Sequence, residues 1–431
     1  MRVELVTVGD ELLLGDTING NAAWLGQRLA ENGVQVTRSV VVGDEQDVII
    51  EAVTEALSRA DAVITTGGLG PTSDDVTRDA LAVAAGVELR RDPGIEQRLR
   101  DRSARVGLPL RPMALRMAEV PEGATLLENP MGSAPGLRIE LPGGPVYALP
   151  GVPVEMRAIT DTAVLPELRA SVTGPVPARR LLRTARVRES ELAGRLAAVE
   201  ALPGVKLAYL PDPAEVKIRI TATGPGAQAV LSEAEELTRK LLGGVVYGTG
   251  EDTLDRVIHQ LLAERSATVA VGESLTGGLL GAELTAMPGS SATFAGGIVA
   301  YATGLKTALL GVPEELLARH GAVHPEVATA MAMGVRDRLG ATYGLAVTGV
   351  AGPDPQDGRP VGTVHIALAG PGSVSRVESP LLPVPGSGPG ARPLIRRMTV
   401  VHALDLLRRN ILGLDAVREW SDDQEDREEL A

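Results

Sequence analysis

Small hydroxyl side chains and glycines follow two short apolar runs in the last third of the chain. One run leads into residues 272–278, Gly-Glu-Ser-Leu-Thr-Gly-Gly, and the other into residues 348–353, Thr-Gly-Val-Ala-Gly-Pro. Segments of this kind at strand ends expose backbone N–H groups and hydroxyls that suit a phosphate or a developing oxyanion. Taken one at a time, each segment is also explained as a simple turn, because Gly and Ser are common in loops.

Lys306, which lies between these two segments, favours catalysis over simple turns. Only four of the 42 basic residues are lysine, and Lys306 is the only lysine after Leu241. A buried ammonium can lose its proton and act as a base, whereas a guanidinium stays protonated. A serine nucleophile needs such a base, and no His, Asp and Ser form a recognisable triad signature. We therefore favour a Ser–Lys dyad; a surface lysine left by chance is the alternative.

Five features resemble, in order and spacing, the C-terminal domain of the CinA family: residues 272–278, 288–291, Tyr301 with Lys306, 348–353 and 361–364. That domain is similar to the stand-alone nicotinamide-nucleotide amidohydrolases called PncC. The resemblance implies that Ser291 is the nucleophile, Lys306 the general base and Tyr301 a neighbour that aids orientation, with no cofactor. It assigns substrate binding to Ser274, Thr276, Gly277, Thr348, Gly349, Gly352 and Arg392. Arg396 is the alternative to Arg392 as the phosphate ligand.

Carboxylates and glycines follow three predicted strands near the N-terminus. Glycines let a phosphate approach the backbone, but carboxylates would repel it unless a divalent cation lies between them. This combination predicts nucleotide or pyrophosphate chemistry with Mg²⁺ or a similar cation. A helix N-cap is the alternative role for each aspartate. The candidate metal ligands are Asp10, Asp44, Asp74 and Asp75.

Residues 65–77, 128–136 and 149–156 resemble the molybdopterin-binding fold of MoaB and MogA in its CinA version. CinA relatives of this domain are associated with ADP-ribose pyrophosphatase activity, and MoaB-type relatives bind molybdopterin; the resemblance leaves both ligands open. Asp44 and Asp75 match the two acidic positions expected to matter in either case. The implied nucleotide-binding residues are Gly67, Gly68, Gly70, Thr72, Asn129 and Gly132.

The elements that must position these residues predict an α/β fold with three domains. Strands at 3–8, 34–42 and 62–66 alternate with helices at 21–32 and 46–59, which indicates a doubly wound, mainly parallel sheet. Ligands bind such sheets at the carboxyl ends of the strands. A Gly- and Pro-rich linker near 171–177 precedes a small β-α-β-β-α-β module, and a C-terminal α/β amidohydrolase domain follows. The predicted boundaries are 1–170, 171–250 and 251–411, with an acidic tail at 412–431.

The middle module resembles the KH-like spacer of CinA proteins. Its acidic hairpin lacks a Gly-x-x-Gly clamp, so we do not expect it to bind RNA. In the last domain, the pattern predicts helices at 254–264, 274–286, 325–339 and 393–409 and strands at 268–271, 344–347 and 361–369.

Composition excludes several classes of protein. A net charge of −13 argues against a general binder of nucleic acid or membrane surfaces, and the tail, with eight acidic and two basic residues, supplies −6 of it. With no cysteine, disulfides, thiolate metal sites and a cysteine nucleophile are excluded. No apolar run approaches the roughly 20 residues of a membrane span and no signal peptide is recognised, so we expect a cytoplasmic protein. We also expect a homodimer.

Three hypotheses for function are carried forward. The leading one is a bifunctional enzyme of pyridine-nucleotide recycling, whose partners are nicotinamide mononucleotide and ADP-ribose. The second is a molybdopterin-binding protein that transfers nucleotidyl groups. The third is a non-catalytic competence or damage-inducible accessory protein, which would turn over neither substrate.

Overall fold

The fold is described from a computed structural model that covers residues 1–107, 109–372, 375–380, 382 and 390–414. It divides into two compact units, Met1–Pro177 and a second unit that begins at Ala178. Most of the predicted acidic tail, from residue 415 on, lies outside the described residues, as does the Pro- and Gly-rich stretch 383–389. Within the described ranges, no helix combines the length and apolar composition needed to cross a membrane.

The first unit is built around one six-stranded sheet of order β2-β1-β3-β8-β7-β6, in which β2, β1, β3 and β8 are parallel. A short β4–β5 pair lies apart from it. The elements are β1 (Arg2–Val8), α1 (Asp10–Leu13), α2 (Gly20–Glu31), β2 (Gln35–Val42), α3 (Gln46–Leu57), β3 (Ala62–Thr66), α4 (Thr77–Ala85), β4 (Leu89–Arg91), α5 (Pro93–Arg105), β5 (Glu119–Pro121), β6 (Thr125–Leu127), β7 (Gly136–Leu141), β8 (Gly144–Leu149), α6 (Pro153–Ile159) and α7 (Leu165–Ala170).

The central strand β3 shows why this sheet is covered on both faces. All five of its residues are buried. Ile64 packs into one apolar cluster with helices α2 and α6, and Val63 packs into a second cluster with α3 and α4. A strand that is buried on both faces needs a continuous apolar run, which Ala62–Thr66 supplies. The loops after β1, β2, β3 and β8 therefore meet at one edge of the sheet.

The second unit starts with the small module. Its strands form an antiparallel sheet of order β10-β11-β9-β12, with the predicted β-α-β-β-α-β order. The first helical segment of this order is divided into two helices at Leu196. The elements are β9 (Ala178–Ala185), α8 (Glu189–Arg195), α9 (Ala197–Glu200), β10 (Val205–Asp212), β11 (Glu215–Ala222), α10 (Ala227–Leu242) and β12 (Val246–Thr249).

The C-terminal domain has a five-stranded sheet of order β14-β13-β15-β16-β17. Strands β14, β13 and β15 are parallel, and β16 and β17 are antiparallel. The elements are α11 (Leu254–Glu264), β13 (Val269–Glu273), α12 (Leu279–Leu284), β14 (Phe294–Val299), α13 (Thr303–Leu310), α14 (Glu314–His320), α15 (Pro325–Leu339), β15 (Tyr343–Gly349), β16 (Val364–Ala369), β17 (Ser375–Glu378) and α16 (Ala391–Leu412).

Alternate residues of the central strands of this sheet point to two different cores. Val271 and Leu345 pack with α11 and α16, and Ala270 and Ala346 pack with α13 and α15. Helices thus cover both faces, as in the first unit. The prediction of an α/β fold with three domains is confirmed. The helix predicted over 274–286 is wrong at its start, because residues 274–278 form turns and the helix is limited to Leu279–Leu284.

Candidate functional site

Lys306 lies at the centre of the C-terminal candidate site. It is carried by α13, and only 1% of its surface is exposed. Its Nζ donates hydrogen bonds to Ser274 Oγ at 3.1 Å, to the Ala300 carbonyl at 2.9 Å and to the Tyr301 carbonyl at 3.4 Å. The three acceptors lie just beyond the ends of the adjacent strands β13 and β14. The lysine is therefore held against the carboxyl edge of the sheet.

Burial sets the protonation of this lysine. Loss of hydration lowers the pKa of Lys306 to about 8, and the charge of Asp357 acts in the opposite direction. Asp357 itself accepts a hydrogen bond from the Ala322 amide at 2.8 Å. At neutral pH about a tenth of Lys306 is consequently the free amine, the form that can accept a proton from a hydroxyl.

The loop after β13 is organised by Glu273, which is 1% exposed. Its carboxylate accepts hydrogen bonds from the amides of Gly278 at 2.9 Å, Leu280 at 3.1 Å and Gly281 at 2.8 Å. Gly277 and Gly278 take positive φ values of 56° and 96°, which let the chain turn sharply there. The carboxylate thereby satisfies the first amides of α12 and fixes the loop that carries Ser274.

Two threonines that are predicted to bind substrate, Thr276 and Thr348, are buried. The hydroxyl of Thr348 donates to the Ala322 carbonyl at 2.8 Å, so it supports the neighbouring loop. Thr276 is fully buried, and its Oγ1 has no hydrogen-bond partner among the described residues. A buried hydroxyl without a partner is costly. Substrate binding by Thr276 and Thr348 stays a prediction.

Two arginines of α16 reach the same region. Arg392 donates to the Tyr301 hydroxyl and to the Gly352 carbonyl, both at 2.6 Å. Arg396 donates to the Thr276 carbonyl at 2.6 Å. Both arginines predicted as alternative phosphate ligands thus lie at the site. Tyr301 is 55% exposed, so its ring borders the site from the solvent side.

Ser291 lies in a different environment from Ser274. It is exposed, in the short turn Ser290–Ala292 that precedes β14. Among the described residues, the serine hydroxyl bonded to Lys306 is that of Ser274. The role predicted for Ser291 as nucleophile stays a prediction.

Two glycines that are predicted to bind substrate lie in close contact with neighbouring chain. A Cβ on Gly349 would come within 2.5 Å of the Thr363 carbonyl oxygen, and a Cβ on Gly352 within 2.9 Å of Val361.

The N-terminal candidate site is a cleft of about 630 Å³ at the carboxyl ends of the parallel strands. Asp44 lines it, whereas Asp10, a predicted metal ligand, does not. The two residues are bonded to each other: the Asp10 amide donates to Asp44 Oδ2 at 3.0 Å, and the Asp44 amide donates to Asp10 Oδ1 at 3.3 Å. Burial raises the pKa of Asp44, and the charge of Asp10 adds to this effect. The hydrogen bond from the Asp10 amide opposes this rise.

The loop after β3 is the second wall of this cleft. Gly67 has a φ of 110°, and a Cβ there would lie 2.2 Å from the Val8 carbonyl oxygen, so only glycine is compatible with this position. Asp75 folds the loop back on itself by accepting from the Gly70 amide at 2.6 Å and from the Thr72 amide at 2.8 Å. Its oxygens are thus already used within the loop. Gly68, Asp74 and Asp75 line the cleft too.

Asn129 organises the third wall. Its Oδ1 accepts from the amides of Met131 and Gly132, and its Nδ2 donates to Glu155 Oε2 at 2.6 Å. Gly132 faces the Glu155 carboxylate so closely that a Cβ would lie 2.0 Å from it. Asn129 and Gly132 therefore shape the loop, and Glu155 lines the cleft.

The carboxylates of the cleft do not form a compact set of three possible metal ligands among the described residues. Among the described residues, one group of three possible ligands lies within 4.8 Å, namely His320, His324 and Glu326, and the aspartates of the cleft are not in it. Asp44 lies in the wall of the cleft, and its amide donates to Asp10 Oδ1. A cation bound at Asp44 stays a prediction. Mg²⁺ is commonly held by one or two carboxylates together with substrate phosphates.

Comparison with known proteins settles the family. The patterns described as probable molybdopterin binding domain, damage-inducible protein CinA KH domain and CinA C-terminal domain match residues 4–170, 179–248 and 251–411. A CinA-like protein of Frankia casuarinae is 52% identical over 428 residues, which cover 96% of this chain and 97% of the relative. The chain belongs to the CinA family.

Two further relatives are similar to all or part of the chain. A CinA-like protein of Gemmatimonas aurantiaca is 46% identical over 420 residues, 95% of this chain and 96% of the relative. The crystal structure of the protein CinA with unknown function from Thermoplasma acidophilum is 40% identical, covers 39% of this chain and 97% of its own, and superposes with a TM-score of 0.35. Descriptions within the family associate it with competence and damage induction.

Three residues that fix the loops of the two candidate sites were not predicted from the sequence. Glu273 and Asp357 act through backbone amides of loops. Arg78 is 4% exposed and donates to the Leu69 carbonyl at 2.8 Å, beneath the loop after β3. For Glu273 the sequence contains a signal, because a carboxylate at the end of an apolar strand, just before glycine-rich residues, is rarely buried unless it is paired. Nothing in the sequence marked Asp357 or Arg78.

Proposed function

We propose that the C-terminal domain hydrolyses the carboxamide of nicotinamide mononucleotide to the acid and ammonia. The observation that carries this proposal is the buried Lys306, with its pKa lowered to about 8 and its Nζ 3.1 Å from a serine hydroxyl. A lysine in this state can act as a general base at neutral pH. A lysine that served only as a positive charge would gain nothing from losing its hydration.

The reaction would run through an acyl-enzyme. Neutral Lys306 takes the hydroxyl proton as the serine Oγ attacks the carboxamide carbon, and the carbonyl oxygen becomes an oxyanion. Backbone amides of the turns after β13 and β15 are suited to stabilise that charge. Lys306 then returns the proton to the leaving nitrogen, which departs as ammonia. Water, deprotonated by the same lysine, attacks the ester and releases the carboxylate and the free serine.

The charged end of the substrate would lie towards α16. Arg392 and Arg396 bring two guanidinium groups to the site, and their bonds to Gly352 and Thr276 hold them there. Guanidinium groups bind phosphate with paired, charge-assisted hydrogen bonds. The Tyr301 ring, held by Arg392, would fix the orientation of the pyridine ring.

Two serines compete for the role of nucleophile. The family resemblance implies Ser291, which is exposed and able to approach a bound substrate; Ser274 has the hydrogen bond with Lys306. We propose Ser291 as the nucleophile and Ser274 as the hydroxyl that positions Lys306. The hydrogen bond between Lys306 and Ser274 fits either assignment, because a catalytic hydrogen bond often forms only in the complex of enzyme and substrate.

The experiment is turnover combined with covalent labelling. Purified protein is incubated with nicotinamide mononucleotide, products are followed by chromatography, and a serine-directed phosphonate is located by peptide mass spectrometry. We expect deamidation and a label on Ser291, lost in Ser291→Ala and kept in Ser290→Ala as the neighbouring control. A label on Ser274 would exchange the two roles. Absence of any deamidation would remove the amidohydrolase proposal.

For the N-terminal domain, we propose cleavage of ADP-ribose to AMP and ribose 5-phosphate. The cleft joins glycine-rich backbone to the carboxylates of Asp44 and Asp74, a combination that suits metal-bridged phosphates. A divalent cation bound there would neutralise the pyrophosphate and polarise its oxygens. The glycine loop would bring its amides to the phosphates, with Asp75 keeping that loop closed.

The test of this second activity uses Asp44→Ala, with Asp47→Ala as an exposed neighbouring control. We expect Asp44→Ala to lower cation-dependent ADP-ribose cleavage and to leave deamidation intact, and Asp47→Ala to change neither. Asp75→Ala should also lower cleavage, through the loop. Full cleavage by both Asp44→Ala and Asp75→Ala would place the cation elsewhere. Tight binding of molybdopterin without cleavage of ADP-ribose would favour the nucleotidyl-transfer alternative.

A further inference from the structure

A second cavity continues from the N-terminal cleft. It measures about 850 Å³ and shares two lining residues, Arg102 and Ser133, with the first cleft. The loop at residues 128–133 and the helix α5 form its walls. The two cavities therefore adjoin each other within the first unit, and together they are called the groove.

The two ends of this groove have opposite charge. The first cleft is lined by Glu11, Asp44, Asp74, Asp75 and Glu155, with Arg102 as its single basic residue. The second cavity is lined by Arg98, Arg102 and Arg105 and by one carboxylate, that of Glu128. Formal charge thus changes from strongly negative at the strand ends to positive at α5.

The three arginines form one face of α5 and remain available. Their spacing of four and three residues places them in a row along the helix. Among the described residues, no salt bridge is formed by any of the three, whereas Arg100, which lies on another face of the same helix, pairs with Glu96. If the three arginines served only to keep the surface soluble, they could form salt bridges as Arg100 does. Here the unpaired guanidinium groups line a cavity.

A plain pyrophosphate would leave these arginines without a partner. The acidic cleft accounts for a pyrophosphate with its cation, and Arg102 lies at the junction. Arg98 and Arg105 lie beyond it and can be used only by a ligand that extends past the pyrophosphate. Guanidinium groups in a row select a phosphate, because each can donate two hydrogen bonds to its oxygens.

We propose that the preferred substrate of the N-terminal domain carries an additional phosphate, outside its pyrophosphate, and that Arg98, Arg102 and Arg105 bind it. The substrate class is a phosphorylated derivative of a nucleoside diphosphate sugar. This inference rests on the proposed pyrophosphate chemistry of the first cleft.

The experiment measures binding to the full-length protein by calorimetry at fixed salt with three probes. These are ADP-ribose, ADP-ribose with a phosphate on the adenosine 2′-oxygen, and ADP-ribose with a phosphate on the 1″-oxygen of the distal ribose. The two phosphorylated probes distinguish which end of the ligand lies at α5. We expect one of them to bind about tenfold more tightly than ADP-ribose, as one charge-assisted hydrogen bond predicts.

Variants then assign the preference to the arginines. Arg98→Ala and Arg105→Ala should each bring the ratio of the affinity for the preferred phosphorylated probe to the affinity for ADP-ribose towards one. Arg100→Ala, on the other face of α5, should leave this ratio unchanged. Binding of ADP-ribose with no gain from either phosphate, or a gain that survives Arg98→Ala and Arg105→Ala, would overturn this inference alone. Failure of all three probes to bind the parent protein would overturn it together with the proposed ADP-ribose activity.

Discussion

At the scale of single residues, the identity of one side chain depends on whether it must lose a proton. The protein uses arginine for 38 of its 42 basic positions. Lys306 is buried and donates to one hydroxyl and two carbonyls, with no carboxylate bonded to it among the described residues. Burial without a partner charge favours the neutral amine. Such a position can be filled by lysine and not by arginine if it serves as a base.

Replacement of Lys306 by arginine tests this directly. We expect Lys306→Arg to lose activity on nicotinamide mononucleotide by a factor on the order of 10²–10⁴, the contribution of general base catalysis. Lys306→Met, which is uncharged and similar in length, should lose as much activity. This variant controls for an effect of the larger guanidinium group on packing. Lys240→Arg, an exposed lysine of α10, should be unaffected. Near-normal turnover by folded Lys306→Arg would remove the Ser–Lys mechanism.

The pH dependence of deamidation follows from the same lysine. Its pKa is lowered to about 8, and the neutral form is the base, so kcat/KM should rise with pH and level off above about 8. Below that value the rate should fall about tenfold per pH unit, because the neutral fraction falls by that factor. The measurement is kcat/KM for nicotinamide mononucleotide between pH 6.5 and 9.5 at constant ionic strength. A flat profile, or one that falls with pH, would contradict Lys306 as the base.

At the scale of elements, periodic segments were predictable and irregular ones were not. Strand β3 and helix α15 follow their sequence patterns closely. Strand β14 was missed because Gly296 and Gly297 interrupt its apolar run. Helix α16 begins at Ala391 rather than at Pro393, because a proline is tolerated in the first turn, where its missing N–H has no helical acceptor.

The candidate site was predictable to a similar extent. Lys306 stands out by residue type alone. Its contact with Ser274 joins residues 32 positions apart through adjacent strands, and no sequence spacing encodes that contact. The Arg392 bond to Tyr301 spans 91 positions and is equally invisible in the sequence. Motifs therefore predicted which segments carry the site, and the order of strands in the sheet decides which side chains meet.

The helix that carries Lys306 is held by close packing against α15. A Cβ on Gly334 would lie 1.8 Å from the Leu310 carbonyl oxygen, at the end of α13. We expect Gly334→Ala to lower the free energy of unfolding by about 1–3 kcal/mol, because backbone must move to make room. Gly304→Ala, in α13 with nothing within 4 Å of the added Cβ, should be neutral or slightly stabilising. Urea unfolding measures both; equal stability of the two variants would contradict this packing argument.

At the scale of the whole second unit, a buried network of charges joins the small module to the C-terminal domain. Asp405 of α16 is 2% exposed and pairs with Arg408 at 2.7 Å and with Arg409 at 2.9 Å. Arg186, which follows β9, pairs with Glu378 at 2.8 Å, and Arg408 also donates to the Gly244 carbonyl at 2.6 Å. Three arginines thus share two carboxylates in a site with little water. The two domains are therefore expected to unfold together.

Removal of Asp405 should be far more damaging than removal of a surface partner. Burial raises the pKa of Asp405, and the charges of the neighbouring Arg408 and Arg186 oppose that rise. Asp405→Ala would leave those guanidinium groups buried with one carboxylate fewer, at a cost of about 3–5 kcal/mol. Asp337→Ala breaks the Arg336 pair at the surface, where the carboxylate is 62% exposed, and should cost at most about 1 kcal/mol. Urea unfolding followed by circular dichroism compares the two variants with the parent protein. A loss of unfolding free energy in Asp405→Ala that is no larger than the loss in Asp337→Ala would show that the network does not hold the two domains together.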